Sequence, residues 1–215
     1  MKNSNKKTLY SGLLVLTAFV LWTILVCIID VDAVGPNGSQ VGFSKVNVFI
    51  HNITGVNMSL YTITDWLGLV PIIITLGFAV LGALQWIRRK KLKLVDYNIF
   101  VLAGFYVMVV AIYVFFEMAS INYRPVLIND CLEKSYPSST TMLVLTIMPT
   151  TIMQIKSRFK NLKLKNGLVI VSVIFIIFMV FGRLISGVHW FTDIVGGVLL
   201  SAGLVKLYCF VINLK

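Results

Sequence analysis

Long apolar stretches separated by short polar ones dominate this chain. Segments close to the roughly 20 residues that cross a bilayer's hydrocarbon core run from Leu9 to Ile29, Leu67 to Ile87, Ile99 to Phe116, Leu168 to Ile185 and Phe191 to Ile212. A shorter one, Met142 to Ile155, contains Pro149 and is extended by the polar run Ser138 to Thr141. Proline is tolerated in membrane helices, so this segment too is read as a crossing. The pattern predicts an all-α polytopic membrane protein with six transmembrane helices, forming a single domain over residues 1–215. The longest connection, Asp30 to Trp66, contains a turn signal at Gly35-Pro36-Asn37-Gly38. Val46, Phe49, Ile50, Ile53 and Val56 then follow the spacing of a short helix lying in the membrane interface. Trp66 and Trp190 are expected at the outer headgroup level and Trp86 at the inner one.

Charge orients this pattern. Lys2, Lys6 and Lys7, then Arg88 to Lys91 with Lys93, then Lys156, Arg158, Lys160, Lys163 and Lys165 fall in alternate connections, which the positive-inside rule assigns to the cytoplasm. Lys215 ends on that side, and Lys206 snorkels toward it. The opposite side holds Lys45, Arg124, Lys134 and Arg183 with Asp30, Asp32, Asp65, Glu117, Asp130, Glu133 and Asp193. Both termini are therefore expected in the cytoplasm of a multi-pass plasma-membrane protein, with the candidate chemistry facing out.

Composition agrees: 58% hydrophobic and 13% charged residues, with a mean hydropathy of +0.92, exclude a water-soluble domain. The net charge of +11 follows topology, so membrane lipids rather than nucleic acid are the expected partners. The first segment reads as a retained helix, because its apolar run exceeds the usual signal-peptide core and no small-residue cleavage pattern follows. Cys27, Cys131 and Cys209 imply no disulfide framework. No paired broken segments point to a transporter.

Against this apolar background, Arg183, His189 and Asp193 stand at the junction of the last two segments. Ionisable groups at membrane depth are costly and tend to mark function. Asp193 lies four residues after His189, a spacing that puts the carboxylate and imidazole on one helix face. A carboxylate so placed fixes the tautomer of a reacting histidine, and Arg183 offers a guanidinium fork suited to phosphate. The other histidine, His51, lies in the first outer loop and reads either as an ordinary interfacial residue or as a proton source.

Three outer pieces have a motif-like order: Glu117, six residues, then Arg124-Pro125; Pro137-Ser138-Ser139-Thr140; and Gly182-Arg183, five residues, His189, three residues, Asp193. Together they resemble the three signature motifs of the type 2 phosphatidic acid phosphatase (PAP2) family, which shares its fold with vanadium haloperoxidases. The resemblance implies that His189 attacks phosphorus to form a phosphohistidine, with Asp193 holding the ring. It also implies that Arg124, Arg183, Ser138, Ser139 and the start of the fourth helix bind the phosphate oxygens of a lipid phosphate, with no metal or other cofactor. Three positions depart from the family pattern: Glu117 replaces a lysine whose role Lys134 is placed to take, Gly182 replaces a serine, and Thr140 replaces the histidine that protonates the leaving group. Two functions stay open: a membrane phosphohydrolase acting on a lipid phosphate or diphosphate at the outer leaflet, and a silent relative binding a headgroup or a membrane partner.

Overall fold

The computed structural model describes residues 2–214; Lys215, and with it one topology expectation, lies outside the described residues. The described chain is helical: α1 (Lys2–Ile28), α2 (Ser44–Thr54), α3 (Met58–Leu67), α4 (Leu69–Arg89), α5 (Tyr97–Met118), α6 (Ser139–Arg158), α7 (Leu162–Ile185) and α8 (Phe191–Ile212). Among the described residues there are isolated β-bridges but no named strand. Five helical stretches are long and apolar enough to cross a membrane: Asn5–Ile28, Met58–Arg89 (α3 with α4), Tyr97–Met118, Leu162–Ile185 and Phe191–Ile212. The chain is thus a multi-pass membrane protein.

The sequence pattern counts six crossings, and the helix that does not meet the apolar measure is α6. Its position in the bundle explains why. It packs against both α7 and α8, and Thr141, Met142, Val144, Thr146, Ile147, Met148, Thr150, Thr151 and Gln154 are all buried in protein. A helix surrounded by other helices need not be apolar all round, provided its polar groups are satisfied. They are: Thr146 donates to the Met142 carbonyl at 2.8 Å, Thr150 to Thr146 at 3.0 Å and Thr151 to Ile147 at 2.7 Å. Toward its C-terminal end, Gln154 Nε2 donates to the Tyr208 hydroxyl at 3.1 Å and its Oε1 accepts from Arg158 Nε at 2.9 Å.

The connection from Asp30 to Trp66 folds into two helices where the sequence pattern indicates one. Asp30, beyond α1, caps α2 from outside: its carboxylate accepts the Lys45 N–H at 2.9 Å and the Ser44 hydroxyl at 3.1 Å. That satisfies orphan donors at a helix start. α2 turns Asn47 inward, where it donates to Thr192 Oγ1 at 2.9 Å and accepts from Thr192 N at 3.2 Å, while Val46, Phe49 and Ile53 stay exposed. α3 begins at Asn57, whose side chain accepts from Leu60 N at 2.9 Å, and runs directly into α4. Trp66 and Trp86 are exposed, but Trp190 is enclosed, its indole donating to the Tyr123 carbonyl at 2.7 Å. It is a core residue, not a lipid-facing one.

Candidate functional site

Five residues, Ser186 to Trp190, join α7 to α8. Gly187 sits at φ +67° with the Gly55 carbonyl oxygen 1.9 Å from where a Cβ would be, so only glycine fits this turn. The turn returns the chain sharply and puts His189 beside Arg183. α8 then starts with Asp193 in its first turn, Oδ2 accepting the Trp190 N–H at 3.0 Å. Its other oxygen accepts from Asn122 Nδ2 at 3.3 Å, and its backbone carbonyl accepts the Ser138 N–H at 3.0 Å, which ties the piece before α6 to the start of α8.

Arg124 comes from the segment between α5 and α6. That segment doubles back through Asn129 and Asp130, both at positive φ (49° and 60°), with Ile128 and Cys131 bridged across the turn. Asn and Asp are among the few residues that adopt this conformation without a large penalty. The hairpin is held by Arg124 N donating to the Glu133 carbonyl at 2.9 Å and Ser135 N to the Asn122 carbonyl at 3.0 Å. Arg124 and Lys134 therefore face one cavity.

At its centre, Arg183 Nη2 lies 3.1 Å and Arg124 Nη1 3.4 Å from the same atom, His189 Nε2. A guanidinium has no acceptor, so Nε2 must be the acceptor and Nδ1 carries the proton of the neutral ring. Burial, reinforced by the Arg124 and Arg183 charges, holds the His189 pKa well below its usual 6.5. The two cations are balanced from outside: Glu133 Oε2 lies 2.9 Å from Arg124 Nε and Asp65 Oδ1 lies 3.5 Å from Arg183 Nη1. The first of these is a close ion pair whose angle is not that of a hydrogen bond. Nδ1 of His189 lies 3.6 Å from Asp193 Oδ2, also without a hydrogen bond.

The cavity, about 550 Å³, is lined by Tyr61 and Asp65 from α3, Tyr113, Phe116 and Glu117 from α5, Arg124, Glu133, Lys134, Ser135, Tyr136 and Pro137 from the hairpin segment, Ser139, Thr140 and Met142 from α6, Arg183 from α7, and His189. Lys134 Nζ donates to the carbonyls of Glu117 and Met118 at 3.0 and 2.7 Å, closing the C-terminal end of α5. Glu117 and Thr140 both line the cavity. Ser138, expected to bind phosphate, is absent from the lining: it is fully buried, and its hydroxyl accepts from Thr141 Oγ1 at 3.0 Å. His51 is also absent from the lining. Its ring packs 5.5 Å from that of Trp190, and burial lowers its pKa. The α3 residues Tyr61 and Asp65 and the hairpin's Glu133 were not among the candidates. A Tyr and an Asp four residues apart on the same helix face were the available signal for α3.

Comparison with known proteins bears on the fold. No curated protein sequence matches the chain. One solved structure, described as the crystal structure of the first transmembrane PAP2 type phosphatidylglycerolphosphate phosphatase from Bacillus subtilis, is similar in fold, with a TM-score of 0.54 at 19% sequence identity. The likeness covers 96% of this chain and 98% of that one. Residues 113–214, from the C-terminal end of α5 through α8, match the model of the PAP2 superfamily, the family that the three motifs resemble.

Proposed function

We propose that the protein is a membrane lipid phosphatase in which His189 Nε2 attacks the phosphorus of a lipid phosphate or diphosphate at the outer leaflet. The observation that carries this reading is the convergence of two buried guanidinium groups on one neutral imidazole nitrogen. In the first step the Nε2–P bond forms and the bond from phosphorus to the leaving oxygen breaks. Water then cleaves the phosphohistidine, releasing phosphate. Arg124 and Arg183 take the equatorial oxygens, where phosphoryl transfer spreads its charge. The first turn of α6, at Ser139 and Thr140, offers backbone amides to the same anion. Asp193 sits on the Nδ1 side and stabilises the ring as it becomes cationic.

The membrane setting follows the same reading. α6 completes the six crossings as the fourth in chain order, shielded from lipid by its neighbours. α2 lies in the outer interface, with Phe49 and Ile53 toward lipid and Asn47 toward α8. Both termini are cytoplasmic, in the plasma membrane, and residues 1–215 act as one domain. The structural neighbour is a phosphatidylglycerolphosphate phosphatase, which makes that lipid a natural substrate to try. Thr140 lines the cavity, but its hydroxyl is too weak an acid to protonate a leaving alkoxide at neutral pH, which favours a diphosphate, whose leaving group is itself a phosphate.

A panel of phosphatidate, phosphatidylglycerophosphate and a polyprenyl diphosphate, offered to the purified wild type, His189→Ala and Thr140→His, tests the proposal. It expects phosphate release from at least one lipid and loss of that release in His189→Ala. A gain with Thr140→His on monophosphates identifies the missing acid as limiting. Phosphate-lipid binding without turnover of any substrate favours the silent binder, for which the carboxylate at Glu117 and the threonine at Thr140 speak.

A further inference from the structure

Arg124 and Arg183 point at one nitrogen, which brings two like charges together and needs something to hold them there. The side chain placed to do so is Tyr61. The Arg183 guanidinium carbon lies 4.9 Å from the centroid of the Tyr61 ring and that of Arg124 lies 5.7 Å from it, so one aromatic ring serves both forks. One turn further along α3, Asp65 Oδ1 pairs with Arg183 Nη1 at 3.5 Å. A ring face attracts cations through its quadrupole, most strongly where water is excluded. Arg183 is 1% exposed and Arg124 8%.

α3 is fixed in this position by close backbone approaches. Asn57 N donates to the Ser186 carbonyl at 3.0 Å, and a Cβ at Gly182 would lie 2.8 Å from Thr64 Cγ2. Residues 58–67 precede the part of the chain that matches the PAP2 superfamily. They nevertheless form a wall of the same cavity.

We infer that α3 is the positioning wall of the anion site: the Tyr61 ring holds both arginines over His189 Nε2, and Asp65 fixes the Arg183 fork. This rests on the phosphatase reading for its substrate, but not for its anion. Tyr61 acts through the arginines and touches no reacting atom.

The test uses the full-length protein in detergent with Tyr61→Leu, Tyr61→Phe and Asp65→Asn, read by inorganic phosphate binding and by phosphate release from the best lipid of the panel. Tyr61→Leu is expected to weaken phosphate binding about tenfold and lower kcat/KM by a similar factor, the scale of a buried cation–π contact. Tyr61→Phe recovers most of that loss, because the ring face and not the hydroxyl does the work. Asp65→Asn lowers kcat/KM with an intact melting temperature. Unchanged phosphate binding in Tyr61→Leu, or a Tyr61→Phe as impaired as Tyr61→Leu, overturns the inference. If the wild type releases no phosphate from any lipid, the enzyme reading fails, and the binding isotherms still decide the role of Tyr61.

Discussion

His189 Nδ1 and Asp193 Oδ2 stand 3.6 Å apart, within ion-pair range but beyond a hydrogen bond, while the same carboxylate accepts the Trp190 N–H at 3.0 Å. Asp193 therefore has two tasks, shaping the start of α8 and facing the ring's proton. Asp193→Asn keeps an acceptor for Trp190 but removes the charge. Its kcat is expected to fall about 10²-fold or more with a nearly unchanged melting temperature. Asp193→Ala also removes a first-turn acceptor and loses about 0.5–2 kcal/mol of stability, measurable by thermal unfolding in detergent.

The depressed His189 pKa sets a pH dependence. A histidine held below about 6.5 stays neutral and nucleophilic as pH falls past that value, so the acid limb of kcat/KM lies on the acid side of an ordinary imidazole. Arg183→Gln removes one of the cations responsible and moves the limb upward, toward the ordinary range. For stability, the unfolded chain binds the proton first. This contribution is complete above about pH 6.5 and is lost as pH falls from there toward the folded-state value.

Gly182 stands where α7 meets α3, with Thr64 Cγ2 2.8 Å from its missing Cβ. Gly182→Ser is expected to cost about 1–3 kcal/mol through overpacking and to displace Tyr61 from the arginines. The Thr64 hydroxyl bonds to the Leu60 and Tyr61 carbonyls of its own helix, so Thr64→Ala strands no buried donor. The double variant should recover both melting temperature and phosphate release, a coupling that a double-mutant cycle measures.

Cys131 is exposed at the hairpin turn on the proposed outer side. In a Cys27→Ser, Cys209→Ser background, a membrane-impermeant maleimide is expected to label Cys131 in intact cells. Labelling only after lysis would reverse the assigned orientation.

Far from the cavity, Gln154 is 1% exposed and bridges Tyr208 and Arg158. Gln154→Leu leaves the buried Tyr208 hydroxyl without that partner. The expected cost is about 1–3 kcal/mol, seen as a lower melting temperature with the rate per folded molecule unchanged.

Element positions were legible in the sequence wherever periodicity and length speak for themselves: α5, α7 and α8 fall within a few residues of the apolar stretches, apart from the polar first turns of α7. The first crossing similarly lacked only its basic leading turn. α6 was harder because its environment is protein, which lets threonines stand where lipid would demand apolar residues. At the site, Arg183, His189 and Asp193 could be singled out because charges at that depth are conspicuous, and Arg124 through the Arg-Pro motif it begins. For Tyr61 and Asp65 the four-residue spacing is a weak signal, since a polar pair in a long connection looks like surface until α3 is packed on Gly182 and Ser186. Ser138 stood in the expected motif position, yet neighbouring Thr141 engages its hydroxyl. Which way a serine turns is decided by packing, not by spacing.

The paired hydrogen bonds on His189 Nε2 leave its lone pair already engaged by Arg183 and Arg124. On the proposed mechanism, that resting arrangement quenches the nucleophile by the groups that would later serve it. An arriving phosphate supplies oxygens for which the forks are better partners, and taking them releases the nitrogen. Reactivity is thereby conditional on the right kind of anion: a neutral electrophile that wanders into the cavity meets an imidazole whose attacking pair is still in use.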